Sequence, residues 1–319
     1  MGKFKPLIGL FVYIVVFTWV SGALMFRFGP FDGLRRMAAQ SALYSMRHKW
    51  MARFFLSRNE LIHLINEDRR DEGPWNNSNP FWFAERHDRR IEHYIVRANR
   101  FIGHVLLVHD PLSVSVGLSS RMPYSGETTS NIAKHLGAIA AINAGGFGDR
   151  GYFTSTGGVP DNFVVHNGRF VFSSSRLDRG ERVGTIGFTR RGVLIVGRLT
   201  KREILSLGIR EAVSFGPPII VNGKPQINQK NNNEGIAPRT AIGQRRDGAV
   251  IMLVVDGRQV DSIGASMRDI QNIMLSYGAY VAANLDGGSS TTMYYRGKII
   301  NHPSDPLGER MVATAFVVK

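Results

Sequence analysis

The stretch Ala279-Tyr280-Val281-Ala282-Ala283-Asn284-Leu285-Asp286-Gly287-Gly288-Ser289-Ser290-Thr291-Thr292 decides how this chain is read. It opens with a continuous apolar run, the pattern of a strand buried on both faces. A carboxylate, two glycines and four hydroxyls follow at once. An upstream stretch repeats the opening: Val250-Ile251-Met252-Leu253-Val254-Val255 leads into Asp256-Gly257-Arg258. Between the two lies the clearest helical pattern, Ser262 to Tyr277, with Met267, Ile270, Ile273, Met274 and Tyr277 on one face. Ser266 or Ser262 suits its cap and Gly278 its C-terminal stop. A strand–helix–strand unit commonly sets its strands parallel. Asp256 and Asp286 are therefore expected at one sheet edge, where open sheets place ligands. Asp-Gly is also an ordinary turn signal, and Leu285 to Ser289 suits a plain hairpin.

Working outward, Ile91–Val96, Val105–Val108 and Val114–Leu118 read as strands, and Thr128–Leu136 as a helix ended by Gly137. Ala138–Ile142 reads as a buried strand. Asn167-Gly168 predicts a hairpin turn, and Val193–Val196, Ile219–Val221 and Ala249–Val255 are further strands. The expectation is an α+β domain with an extensive mixed β-sheet core and a few packed helices.

The N-terminal part differs. Pro6 to Phe26 contains no charged residue. At about 1.5 Å per residue such a run spans roughly 30 Å, one bilayer core. A cleaved signal peptide is the alternative, and the length of the run favours an uncleaved transmembrane anchor. Residues 33–67 follow as basic and amphipathic, with capping-box spacing at Ser57 and Glu60 that starts a second helix. They read as a membrane-surface helix or as an ordinary connecting pair. Residues 68–90 are polar and rich in turn formers. Three segments result: residues 1–26 as cytoplasmic tip and anchor, 27–90 as a juxtamembrane segment and linker, and 91–319 as the folded body.

The 319 residues include 35 glycines and no cysteine. Disulfides, thiolate metal sites and cysteine nucleophiles are thereby excluded. The net charge of +15 favours a polyanionic partner. No long basic run or nucleic-acid motif accompanies it, so nucleic acid is not an expected partner.

Two aspartates at one edge suit acid–base work, nucleophilic attack or metal ligation. Arg258 follows Asp256 on the same face of an extended segment, and Arg239 precedes a short apolar strand in Pro238-Arg239-Thr240-Ala241-Ile242-Gly243. A guanidinium fork matches a phosphate or carboxylate. Gly287, Gly288, Ser289 and Ser290 add backbone and hydroxyl donors suited to phosphate. The P-loop lysine spacing and clustered histidine ligands are missing. His104, His109, His135 and His166 read as ordinary residues, and His302 as the histidine nearest to chemistry.

From about residue 91 to 319 the chain resembles the phosphodiester glycosidase family. The resemblance rests on Ala141-Ile142-Asn143-Ala144-Gly145-Gly146-Phe147, Pro238 to Gly243, Val255 to Arg258 and Gly264-Ala265-Ser266. It continues through Asn284 to Thr291 and Glu309-Arg310. It implies cleavage of a sugar joined through its anomeric carbon to a phosphodiester, outside the cytoplasmic membrane. The phosphate monoester leaves easily, so phosphate stabilisation and one carboxylate matter more than a strong general acid.

On this reading Asp286 is the leading catalytic carboxylate and Asp256 its partner. Arg239 and Arg258 hold phosphate, and Asn143, Asn284, Ser289 and Ser290 orient the substrate. Gly145, Thr240, Ser266, Gly287, Gly288 and Arg310 complete the expected substrate-binding set. The expected partner is a phosphate-containing glycan or glycopolymer. The alternatives are a phosphodiesterase with a divalent cation clamped by Asp256 and Asp286, a binding module without turnover, and a membrane-tethered assembly factor.

Overall fold

Alternation along Val250–Val255 accounts for its unbroken apolar run. Val250, Met252 and Val254 enter one core, while Ile251, Leu253 and Val255 enter another. The structure, a computed structural model, describes residues 13–22, 52–61, 88–148, 156–228 and 235–319. It falls into two compact units. One is Met1–Asp71 with Asn233–Gly235, and the other is Glu72–Asn232 with Ile236–Lys319.

In the first unit, residues 13–22 are helical with exposed apolar side chains, and Ala52–Phe55 forms a short helix. The expected capping box is present: the Ser57 N–H donates to Glu60 Oε2 at 2.7 Å, and the Glu60 N–H to Ser57 Oγ at 3.3 Å. No helix among the described residues is long and apolar enough to cross a membrane. The remainder of the charge-free run, and most of the segments expected as basic helix and linker, lie outside the described residues.

The second unit holds the chemistry. Its elements are β1 (Ile91–Ala98), β2 (Phe101–Val108), β3 (Ala140–Asn143), β4 (Arg239–Arg245), β5 (Val250–Val255), α1 (Met267–Ser276), β6 (Ala279–Leu285), β7 (Met293–Tyr295) and β8 (Thr314–Val318). A seven-stranded sheet runs β1-β2-β5-β4-β6 and ends in Pro218–Val221 and Lys224–Pro225. A five-stranded sheet runs Lys298–Ile299, β7, β3, β8, Val114–Leu118. A second five-stranded sheet runs Leu194–Leu199, Val183–Thr189, Ile209–Val213, Phe163–His166, Arg169–Ser173. The last pair is the expected Asn167-Gly168 hairpin, with both turn residues at positive φ.

One core joins the three sheets, with Val254 and Leu285 from the first, Ile142 and Phe316 from the second and Phe188 from the third. Phe188 and Phe316 meet edge to face, centroids 5.9 Å apart. Each fully buried side chain of this size stabilises the fold by about 1.5–3 kcal/mol. Met267, Ile270 and Met274 of α1 cover the other face of the seven-stranded sheet, packing with Leu253 and Val255. Ile132 and Ala133 of the Thr129–His135 helix cover the outer face of the sheet that holds β3.

This is a sheet-rich α+β fold with few helices. Every described ladder is antiparallel. Among the described residues, hydrogen-bonded neighbours of parallel direction, expected above, do not occur. β5 and β6 do point the same way, but β4 lies between them and pairs antiparallel with both. Asp256 and Asp286 thus leave the same edge, one strand apart from adjacency. The helix expected from Ser262 begins only at Met267. Ser262 is bound elsewhere: its hydroxyl donates to Asp256 O and accepts the Ile102 N–H. The plain hairpin after Leu285 is not formed. Gly288–Ser290 makes a single 3₁₀ turn, and the chain crosses to β7 in another sheet.

Candidate active site

That crossing makes Asp286–Thr292 a seam between two sheets, and the seam is closed from below by Asn143 at the end of β3. The Asn143 amide donates to Asp286 O, while its oxygen accepts the Thr240 hydroxyl at 2.8 Å and the Thr292 N–H at 3.1 Å. Asn143 and Thr240 are fully buried. The two, expected among the substrate contacts, tie β3, β4 and the Asp286 turn together. The Asp286 N–H completes the tie by donating to Ala144 O at 3.1 Å. Gly145 serves the same layer, its N–H donating to Thr314 Oγ1 at 3.1 Å.

Asp286 itself is the electrostatic centre. Burial pushes its carboxyl up to about 6, with the charge of Asp161 adding to the rise. The Ser290 hydroxyl, the Arg310 guanidinium and the Gly287 N–H pull the other way. Its Oδ2 is buried without a hydrogen-bond partner among the described residues. Asn284 Oδ1, Thr291 Oγ1 and Thr292 Oγ1 share that condition. Four of the eight such side-chain atoms therefore fall within nine residues of one another. Buried polar groups are ordinarily satisfied, so this concentration marks a place built to receive polar groups from outside the chain.

Three guanidinium groups converge here. Arg258 is pushed below its ordinary value by burial and by the charges of Arg239 and Arg310, against Asp305. Arg310 Nη1 donates to Ser289 Oγ at 3.0 Å, and its guanidinium lies 5.1 Å from the centroid of the Phe147 ring. Arg239 Nε donates to Ala265 O at 3.2 Å. The arrangement of Arg258 depends on Gly288. Gly288 has φ +61°, and a methyl group there would stand 3.4 Å from Arg258 Nη2. Gly287 packs on the Pro238 carbonyl, which also accepts the Gly288 N–H. Arg258 itself has φ +62°, so it does not continue an extended segment from Asp256 as expected. The turn swings its side chain over Gly288 instead.

The structure moves two expected residues out of direct contact. Ser266 caps α1: it accepts the Asp269 N–H at 3.2 Å and donates to Asp269 Oδ2 at 2.7 Å. That hydroxyl is committed to the helix rather than to substrate. Asp256 is almost wholly buried, and its Oδ1 accepts the Asn301 amide at 3.0 Å and the His302 N–H at 2.9 Å. Its Oδ2 lies 3.9 Å from both His104 Nε2 and His302 Nδ1. Burial raises the Asp256 carboxyl above its ordinary value, and the two hydrogen bonds oppose that rise. Asp256 thus anchors the Asn301–His302 loop at the rim, with the His302 side chain 81% exposed.

His104, read as an ordinary residue, is the buried neighbour of that carboxylate. Burial, with His93, His302 and Arg97, pushes it down to about 4, so it is neutral near pH 7. Asp161 was missed altogether, since Pro160-Asp161-Asn162 carries no signature in the sequence.

β5 and β6 stand two strand spacings apart, about 10 Å, with β4 between them, and Asp256 Oδ1 is already bonded to Asn301 and His302. Among the described residues no three His, Asp or Glu side chains converge as a ligand set. No step below is routed through a metal.

Fold and site together define a sheet-rich domain with a perturbed carboxylate and three neighbouring guanidinium groups at the seam of two sheets. Residues 136–319 match the phosphodiester glycosidase family, and the chain belongs to that family. It is 30% identical over 213 residues to the SPbeta prophage-derived uncharacterized protein YomE of Bacillus subtilis, covering 65% of this chain and 31% of that protein. It is 30% identical over 201 residues to N-acetylglucosamine-1-phosphodiester alpha-N-acetylglucosaminidase of Bos taurus, covering 58% of this chain and 36% of that enzyme. The chain spans about a third of the length of these curated relatives. The zebrafish N-acetylglucosamine-1-phosphodiester alpha-N-acetylglucosaminidase catalytic domain has the same fold, with a TM-score of 0.60 at 22% identity over 77% of this chain and 86% of that one.

Proposed function

We propose that this chain hydrolyses a sugar-1-phosphodiester, breaking the bond between the anomeric carbon and the phosphate oxygen. The observation that carries the reading is Asp286: a half-buried residue whose carboxyl is pushed up to about 6, with one buried oxygen unpartnered among the described residues, near the converging arginines. A base with a value near neutrality takes up a proton readily yet is ionised at pH 7. Asp286 accepts a proton from water as the water oxygen attacks the anomeric carbon. The carbon–oxygen electron pair stays with the phosphate, which departs as a monoester. Arg239, Arg258 and Arg310 meet the charge that grows on it. Asn284 and Ser289 contact the substrate, and Asn143, Thr240 and Ser290 keep the Asp286 turn in place.

The related bovine and zebrafish enzymes carry in their names a sugar-1-phosphodiester and a glycosidase activity on it, which supports this substrate class. The net charge of +15 suits an anionic glycan or glycopolymer. The charge-free run Pro6–Phe26, and exposed apolar residues such as Trp19 within it, support an N-terminal membrane anchor, and the family resemblance alone supports an extracytoplasmic second unit. Protease accessibility of the full chain in intact cells and in spheroplasts tests that placement.

The activity is tested with the full chain and a panel of sugar-1-phosphodiesters, with and without chelator. Turnover that persists with chelator and falls by about 10³-fold or more in Asp286→Asn is expected. An Asp286→Asn protein that is folded and fully active removes the assignment.

A further inference from the structure

Asp161 is a carboxylate near Asp286 that the reaction above does not use. Asp161 follows Val159–Pro160 and sits against the turn that carries Asp286's own support. Its N–H donates to Gly146 O at 2.8 Å. A methyl group placed on Gly146 would lie 2.5 Å from Asp161 Oδ2 and 2.9 Å from the Phe215 ring. Gly146 therefore leaves room for this carboxylate between the backbone and an aromatic wall.

Two residues earlier on the same turn, Ala144 O accepts the Asp286 N–H. The four residues Asn143–Gly146 thus bind Asp286 at one end and Asp161 at the other. The next residue, Phe147, carries Arg310 over its ring, and Arg310 reaches back to Ser289 in the Asp286 turn. The two carboxylates and the guanidinium surround one short segment.

We propose that Asp161 is the second working carboxylate of this site, a positioning residue that acts through Asp286 across the Asn143–Gly146 turn and sets the pH at which Asp286 becomes a base. The proposal rests on Asp286 being that base. Its physical content is like-charge repulsion across that turn, which favours the protonated form of Asp286. The groups facing Asp286 are Asp161, which favours its protonated form, and Arg310, the Ser290 hydroxyl and the Gly287 N–H, which favour its ionised form. Asp256 stands apart in its own bonds to Asn301 and His302 and takes no part.

A test independent of substrate uses the full chain labelled with ¹³Cγ-aspartate. The Asp286 resonance is assigned by its loss in Asp286→Asn, and its titration is followed in wild type, Asp161→Asn and Gly146→Ala. Gly146→Ala keeps the carboxylate but drives it off its seat, so a conclusion survives if Asp161→Asn does not fold. The Asp286 midpoint is expected to fall by about 0.5–1 pH unit in both variants. The acidic limb of kcat/KM should move with it. An unchanged Asp286 midpoint in a folded variant overturns the proposal. A midpoint that falls while the rate profile stays put upholds the coupling and overturns Asp286 as the base, so the two failures are told apart.

Discussion

Asp286 is ionised at neutral pH against the preference of its surroundings. Its carboxyl is raised in the folded chain from 3.8 to about 6, so the native state holds the proton more tightly than the unfolded state. Between those values the native state binds more protons and stability falls as pH rises, with the full cost present above about 6. Asp286→Asn removes the charge and is expected to raise the melting temperature at pH 7.5 by about 2–4 °C, the shift of roughly 1 kcal/mol in a domain this size. The gain should vanish below pH 4. A Tm gap between variant and wild type that does not change with pH would contradict the burial argument.

Arg310 acts in the opposite sense on the same group. Arg310→Gln deletes the cation that favours the ionised carboxylate, so the acidic limb of kcat/KM should move to higher pH, with about a 10²-fold loss at neutral pH. An unshifted limb would place Arg310 with the substrate alone. The place of Asp286 at a strand end was legible in the sequence because a largely apolar run leads into it. Asp161 was not, because what makes it matter is the absence of a side chain at Gly146, fifteen positions earlier.

At the scale of elements, Ser266 separates two meanings of one hydroxyl. Its place before the helix made it a cap candidate while the family resemblance put it with the substrate contacts, and in the fold it closes both halves of a capping box with Asp269. Ser266→Ala should lower stability by about 1 kcal/mol and leave KM unchanged. A raised KM with unchanged stability would return Ser266 to the substrate.

The strands were legible from period-two burial and turn signals, and the hairpin from Asn167-Gly168. The placement of β4 was not. It precedes β5 in the chain yet sits between β5 and β6 in space, and no local pattern records which strand enters the gap. The same insertion keeps Asp256 from pairing with Asp286 and gives it the rim loop to hold. Arg258 was misread for a related reason. A positive φ in an arginine is set by the Gly257–Gly264 turn, where the Arg258 N–H donates to Ile263 O, rather than by its own preference.

Across the whole second unit, the site lies where the seven-stranded sheet hands the chain to the sheet of β3, β7 and β8. The common core of three sheets holds that seam rigid, and the polar atoms left unpartnered there are its counterpart. The family was legible because its short motifs keep their order along the chain, though each alone is weak. Carbon–oxygen rather than phosphorus–oxygen cleavage is the central claim of the proposed reading, in which Asp286 serves as base and the arginines meet the departing phosphate. Hydrolysis of a sugar-1-phosphodiester by the full chain in ¹⁸O-labelled water, read by mass spectrometry, tests it most directly. The label is predicted in the released sugar. Label in the phosphate would contradict the account and require the roles of Asp286 and the three arginines to be reassigned around attack at phosphorus.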